Sequence, residues 1–326
     1  MLDKTQKLRI LEQLYQDARI HAIELQSNTS ISRQTISRLR KTFWDNYIIQ
    51  SAPAVLNAHV LNLQYFFMEI KTNPAEPELL SRLKQIPGLI SIDGVIGEYA
   101  LIVKFELPTK TAFADILNQI DQSVAQSLFQ SYRIIETIDV FKIGGIIINR
   151  QFEQKFLDES RWKLLNLLRK NCNPVKWPER TKNEFFSEDD IQLIEKINLS
   201  REIERMEREH IIERFTITID PTIAKIPDLH TKFFMRIKPR AIGQYTELAA
   251  KLQYHPNIIE LYRTGEDAGL LAIVRTEGLK GFKSFINELY SQYPVLDSYT
   301  TVVIDEHMAT IFPPTLRSSR KECGLE

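Results

Sequence analysis

The sequence predicts an α+β protein in which one plan is written twice: a winged helix-turn-helix followed by a ferredoxin-like βαββαβ layer. Three observations carry this. The chain has 326 residues, two domains' worth at roughly 150 residues each. Short strings recur in the same order. Tyr65-Phe66-Phe67-Met68-Glu69-Ile70-Lys71 returns as Lys232-Phe233-Phe234-Met235-Arg236-Ile237-Lys238 at an offset of 167, and Gly97-Glu98-Tyr99-Ala100 returns as Gly265-Glu266-Asp267-Ala268 at 168. Leu2-Asp3 reappears as Leu157-Asp158 at 155, so about a dozen residues were gained in between. Finally, within each copy the apolar spacing changes from helical to strand-like.

The elements follow in order. Leu8, Leu11, Leu14 and Tyr15 make an apolar helical stripe, and Ile20 to Leu25 suggests a second short helix. A third follows Ser32, which can cap it, with Ile36, Leu39 and Phe43 on one face. Three helices in so few residues fit a helix-turn-helix, and Tyr47-Ile48-Ile49 begins a wing or linking strand. Residues 62–71 read as a strand, 76–86 as a helix closed by Pro87-Gly88, 89–96 and 99–106 as strands, 111–122 as a helix and 132–143 as a strand. Residues 231–239, 241–254, 258–264, 268–275, 279–291 and 298–305 repeat that order. The expected organisation is 1–50 helix-turn-helix, 58–143 βαββαβ, 144–155 linker, 156–213 second helix-turn-helix, 228–308 second βαββαβ and 309–326 C-terminal tail. The linker opens on Gly144-Gly145 and continues through the polar Asn149-Arg150-Gln151.

Composition narrows the functions. Lys and Arg total 42, Asp and Glu 42, so bulk positive charge does not attach this chain to nucleic acid; basic residues must be gathered locally. Apolar runs such as Ile146-Ile147-Ile148 fall far short of the ~20 residues of a membrane span. The start, Leu2 to Lys7, has no secretory pattern. Cys172 and Cys323 give neither a disulfide framework nor zinc spacing. The expectation is a cytoplasmic protein with no membrane, metal or cofactor.

The basic residues are gathered on the third helix. Residues 1–50 carry eight basic and five acidic groups, and Arg33, Arg38, Arg40 and Lys41 lie on one candidate recognition helix. Ser32, Gln34, Thr35 and Ser37 are short hydrogen-bonding side chains near its N-terminus, where such helices meet base edges and phosphates. Arg38, Arg40 and Lys41 are better placed for phosphates. The same positions also fit a solvated face of an ordinary surface helix.

This plan resembles the Lrp/AsnC (feast/famine) transcription regulators. The residues that carry the likeness are Leu2-Asp3, Ile10-Leu11, Leu14, Asp17-Ala18-Arg19, Glu24-Leu25, Ile31 to Arg38, Ile48-Ile49, Ile86-Pro87-Gly88 and Gly97-Glu98-Tyr99. The resemblance implies sequence-specific binding of double-stranded DNA by the third helix. It further implies a homodimer, or here an intramolecular pseudo-dimer, through the βαββαβ (RAM) domains. An amino-acid-like effector near the turns Gly97, Glu98, Tyr99 and Gly265, Glu266, Asp267 is also implied. In relatives an acidic residue typically follows this turn; here Ala100 and Ala268 stand in its place, with Asp267 one position earlier. A tight turn needing positive φ at Gly97 and Gly265 would explain both glycines without an effector.

The second helix-turn-helix departs from the pattern. Asn173 to Lys182 interrupts it with Pro174 and Pro178, leaving Lys176, Arg180 and Lys182 on an inserted loop. Its third helix carries Arg201, Arg205 and Arg208 against Glu202, Glu204, Glu207 and Glu209, and residues 156–213 hold eleven basic and thirteen acidic groups. Carboxylates facing phosphate repel, so this helix reads as structural or protein-binding. The main alternative is a siroheme-decarboxylase-like tetrapyrrole enzyme on the same architecture. Tyr262-Arg263 is similar to such a site, but no histidine precedes it. Six scattered histidines and the lack of a phosphate-cradling loop, nucleophile elbow or metal spacing lead to the expectation that the chain is not an enzyme. A pure interaction protein that has lost DNA is the other alternative.

Overall fold

The structure, a computed structural model, describes residues 4–72, 76–108, 110–127, 130–170, 198–220 and 231–314. Its contacts group the chain into two compact units that do not follow chain order. Met1–Leu61, Asn149–Lys225 and Ile311–Thr315 belong to one; Asn62–Ile148, Ile226–Thr310 and Leu316–Glu326 belong to the other. Both helix-turn-helix segments therefore share a unit, as do both βαββαβ segments.

In the first unit, α1 (Lys4–Gln16), α2 (Ala22–Thr29) and α3 (Arg33–Asp45) bury the expected stripes: Ile10, Leu11 and Leu14, then Leu25, then Ile36, Leu39 and Phe43. Helix α2 starts later than expected because Ile20 closes the preceding turn, its N–H bonded to the Asp17 carbonyl. Ser30 in the left-handed region, with its N–H on the Gln26 carbonyl, ends α2 and turns the chain into α3.

The wing strands β1 (Ile49–Ser51) and β2 (Ala54–Leu56) do not pair with one another. Instead β2 pairs antiparallel with β8 (Ile212–Phe215) and β1 with β9 (Thr218–Ile219), strands of the second copy. The second copy also supplies α6 (Glu159–Lys170), burying Leu164, Leu165, Leu167 and Leu168, and α7 (Leu199–Arg208). Ser51 stands opposite Thr218, its own counterpart at the 167-residue offset, and their hydroxyls lie 2.8 Å apart. The two copies therefore meet at equivalent positions of their wing strands. Lys176, Arg180 and Lys182 lie outside the described residues.

The linker expected at 144–155 is ordered by specific bonds. Gly144 and Gly145, both at positive φ, form a tight hairpin in the second unit from β6 (Tyr132–Ile143) to β7 (Ile146–Ile147). In the first unit, fully buried Asn57 donates to the Asn149 carbonyl at 2.8 Å and to Glu213 at 2.6 Å, and Lys155 N–H donates to the Val60 carbonyl. The start of the expected C-terminal tail is likewise anchored, with Phe312 fully buried.

The second unit is built from β3 (Gln64–Ile70), α4 (Pro77–Leu83), β4 (Leu89–Ile96), β5 (Leu101–Leu107), α5 (Lys110–Val124) and β6. Its second copy is β10 (Thr231–Pro239), α8 (Tyr245–Leu252), β11 (Ile258–Thr264), β12 (Leu270–Thr276), α9 (Gly278–Gln292) and β13 (Val295–Glu306). Helix α8 begins after a turn holding Gly243 at positive φ, later than the helical spacing from 241 suggests. The order β11-β12-β10-β13-β4-β5-β3-β6, with β6 also paired to β11, closes the two four-stranded layers into one ring. Strands β6 and β13 each leave their own layer for the other. Consequently Phe141 packs in the core under α8 and α9, and Met308, 167 residues on, packs against the core under α4 and α5.

Ring closure gives both layers an enclosed inner face. Phe67 and Phe234 meet edge-on across it at 5.7 Å. Charges buried there are paired, as buried charges must be. Lys104 Nζ donates to Glu260 Oε2 at 2.8 Å, Lys232 Nζ to both Asp93 oxygens at 2.7 and 2.8 Å, and Arg275 to Glu306 at 2.9 Å. Burial opposes ionisation of Glu260, but the Lys104 charge and hydrogen bonds from Lys104 and Tyr262 outweigh it and hold its pKa below the ordinary value. At Asp93 burial wins over Lys232, and the pKa is raised. Among the described residues no helix is long and apolar enough to cross a membrane.

Candidate nucleic-acid interface

Helix α3 is held in place from three sides. Ser32, extended at its N-cap, accepts the Thr35 N–H at 3.3 Å and donates its hydroxyl proton to Thr35 Oγ1 at 3.0 Å. Arg33 Nε donates to Gln26 Oε1 at 3.1 Å, tying α3 to α2. The buried stripe of Ile36, Leu39 and Phe43 leaves Ser32, Arg33, Gln34, Ser37, Arg38 and Lys41 exposed, with Thr35 half-buried. Gln34, Ser37, Arg38 and Lys41 recur at three- and four-residue steps, so they share one outward face.

Arg40 is a correction to the phosphate-facing group. It is half-buried, and its guanidinium donates to the Ile20 carbonyl at 3.2 Å. That carbonyl belongs to the turn before α2, so Arg40 braces the motif from within; the outward cations are Arg33, Arg38 and Lys41.

The two candidate effector turns lie in the second unit. Glu69, buried, accepts from Arg236 at 2.7 Å and is ion-paired with Arg133 at 2.7 Å. Arg236 Nε also donates to Glu266 Oε2 at 2.9 Å, and Arg133 lies 3.4 Å from Glu266. Burial works against the Arg236 cation, yet its bonds to Glu69 and Glu266 hold its pKa above the ordinary value. Tyr99 lies under the cations of Arg133 at 5.8 Å and Lys71 at 5.6 Å, and Lys71 pairs with Glu98 at 3.1 Å. Asp267, the acidic residue displaced from the usual position, is paired with Lys238 at 2.6 Å. One network thus joins Tyr99 of the first turn to Glu266 of the second. Sequence spacing could not find Arg133 and Arg236, because neither lies in a turn.

The glycine reading is corrected in the second turn. Gly265 is not among the positive-φ glycines; Gly269 is, at φ 81, and a Cβ there would collide with the Tyr245 ring. Tyr262 is fully buried and donates to Glu260 at 2.6 Å, while Arg263 donates to the carbonyls of Thr264 and Gly269 and lies 3.7 Å from the Tyr245 ring centre. Among the described residues no group of three or more His, Cys, Asp and Glu side chains is placed to hold a metal ion.

A duplicated winged helix-turn-helix joined to a duplicated βαββαβ layer defines the class: a regulator-type fold in which one chain carries both copies. Comparison with known proteins agrees. Residues 232–310 match the Lrp/AsnC ligand binding domain. The HTH-type transcriptional regulator FL11 of Pyrococcus furiosus is 30% identical over 108 residues, covering 33% of this chain and 69% of that protein. FL11 of Pyrococcus horikoshii is 29% identical over the same shares. The chain belongs to the Lrp/AsnC family.

Among solved structures, the siroheme decarboxylase NirDL is similar over 94% of this chain and 94% of its own, with a TM-score of 0.56 and 11% identity. That match corrects the expectation that the chain is not an enzyme. The same whole-chain fold belongs to an enzyme, so the fold alone does not set this chain apart from one.

Proposed function

We propose that the chain is a sequence-specific transcription regulator that binds double-stranded DNA through α3. The observation that carries this is the capped, braced helix whose outward face holds Gln34, Ser37, Arg38 and Lys41. Gln and Arg can each make paired hydrogen bonds to a base edge, while Lys and Arg neutralise phosphates. The family membership and the FL11 relatives support the same reading. The chain acts as its own pseudo-dimer, and an amino-acid-like effector binds at the turns around Gly97-Glu98-Tyr99 and Gly265-Glu266-Asp267.

A mobility-shift assay on the intact chain and on Arg38→Ala with Lys41→Ala tests it. The double variant should weaken binding and flatten the log–log salt dependence by about 1.8, roughly 0.9 per lost phosphate contact. Unchanged binding would show that α3 is not the reader.

The whole-chain likeness to NirDL favours a second reading, chemistry on an iron tetrapyrrole. Mixing the chain with siroheme and recording the absorbance spectrum tests this; tight binding with a shifted spectrum would support it over the first.

A further inference from the structure

The second helix-turn-helix has a net acidic count, but most of the carboxylates around α7 are paired within the fold. Of the four carboxylates around α7, Glu207 is paired with Arg19, a residue of the first copy. Glu209 accepts from Arg205 at 2.9 Å and lies 3.3 Å from Arg161, and Glu202 lies 3.9 Å from Arg161. All three are half-buried. The outward residues of α7 are Arg201, Glu204, Arg205 and Arg208.

These positions are those of the first reader. At the 167-residue offset that aligns the βαββαβ copies, residues 200–209 repeat the order of exposed, half-buried and buried side chains in 33–42 without a mismatch. Ile203 and Met206 stand for Ile36 and Leu39 in the core. Gln34, Ser37, Arg38 and Lys41 become Arg201, Glu204, Arg205 and Arg208. Glu207 takes the bracing place of Arg40, and Asn198 caps α7 by accepting the Arg201 N–H, as Ser32 caps α3. Ser51 and Thr218, paired at the same offset, join the two copies at equivalent positions, as two recognition-helix modules are joined in a dimer.

The geometry points to α7 as a second DNA-reading helix, so that one chain recognises two unlike half-sites. This rests on the reading of α3 as the first DNA-reading helix. Arg201, Arg205 and Arg208 suit phosphates and guanine edges, and Glu204, set among them, suits the amino group of cytosine. The side chains differ from those of α3 at three of four outward positions, so the target is a non-palindromic pair of half-sites.

The test uses the full chain on DNA enriched from a random double-stranded pool, followed by footprinting. Arg201→Ala with Arg208→Ala avoids the Arg205–Glu209 pair and should leave the melting temperature unchanged. It should weaken binding about tenfold or more, flatten the salt slope by about 1.8, and shorten the footprint to the half-site read by α3. Arg38→Ala with Lys41→Ala should shorten it to the other half. Glu204→Gln should change base preference at one position of the α7 half-site with the salt slope kept. If the α7 double variant binds with unchanged affinity, slope and footprint while the α3 variant is weakened, α7 is no reader and the α3 reading stands. A single palindromic motif overturns the asymmetric target. Failure of the intact chain to bind DNA overturns both readings.

Discussion

Replacing Lys232 with alanine is expected to destabilise the chain by about 3–5 kcal/mol at neutral pH, the usual cost of breaking a buried ion pair by removing one partner. Lys232 is 4% exposed, and its ammonium holds both oxygens of Asp93, which is fully buried, with Glu306 3.6 Å away. The substitution leaves a buried carboxylate without its ammonium, which favours its protonated form. Asp93 already has a pKa raised by burial even with the lysine present. A folded-state pKa above the unfolded value means the native state binds the extra proton, so stability is regained as pH falls through the folded pKa. The deficit of Lys232→Ala relative to the parent should therefore shrink as pH drops towards 4, and Asp93→Asn added to it should remove that pH dependence. Urea unfolding at several pH values measures this. A constant deficit would mean that Asp93 is solvated on loss of its partner.

The second large effect concerns Glu69 and Arg236, which are counterparts at the 167-residue offset and bond to one another at 2.7 Å. In a homodimer of either half this place would hold two copies of one residue, a pair of buried carboxylates or a pair of guanidiniums. Here the duplicated positions have opposite charge, so each half fits the other better than itself. Arg236→Glu would set a third carboxylate beside Glu69 and Glu266 and is expected to cost at least 3 kcal/mol. Glu69→Arg combined with Arg236→Glu should recover much of the loss, because the central pair is restored with its sign reversed. The double-variant cycle checks it; additive losses would mean that the two residues are not coupled.

Much of the fold was legible because repetition is a strong signal. The Phe66-Phe67-Met68 string fixed the offset, and the strand spans 89–96, 132–143, 231–239 and 258–264 coincide with the structure. The wing strands were not legible as exchanged strands, since two to four residues carry too little pattern to choose a partner. The interior charges were not legible for a definite reason. Lys104 and Glu106 sit where a one-sided antiparallel layer would face water, and only closure of the ring covers that face. Helix α3 and its outward residues could be read from capping and spacing, whereas the role of Arg40 depended on a carbonyl 20 residues away. The outward charge of α7 was hidden more deeply: two of the arginines that pair with its carboxylates lie 188 and 48 residues off, and charge counted along the sequence cannot see them.

Reading of DNA sequence by α3 is tested most directly by enrichment from a random double-stranded pool. The intact chain is predicted to enrich a defined motif, and the Arg38→Ala, Lys41→Ala chain to lose the half of that motif contacted by α3. Enrichment of no motif by the intact chain, or of the same full motif by both, would contradict it.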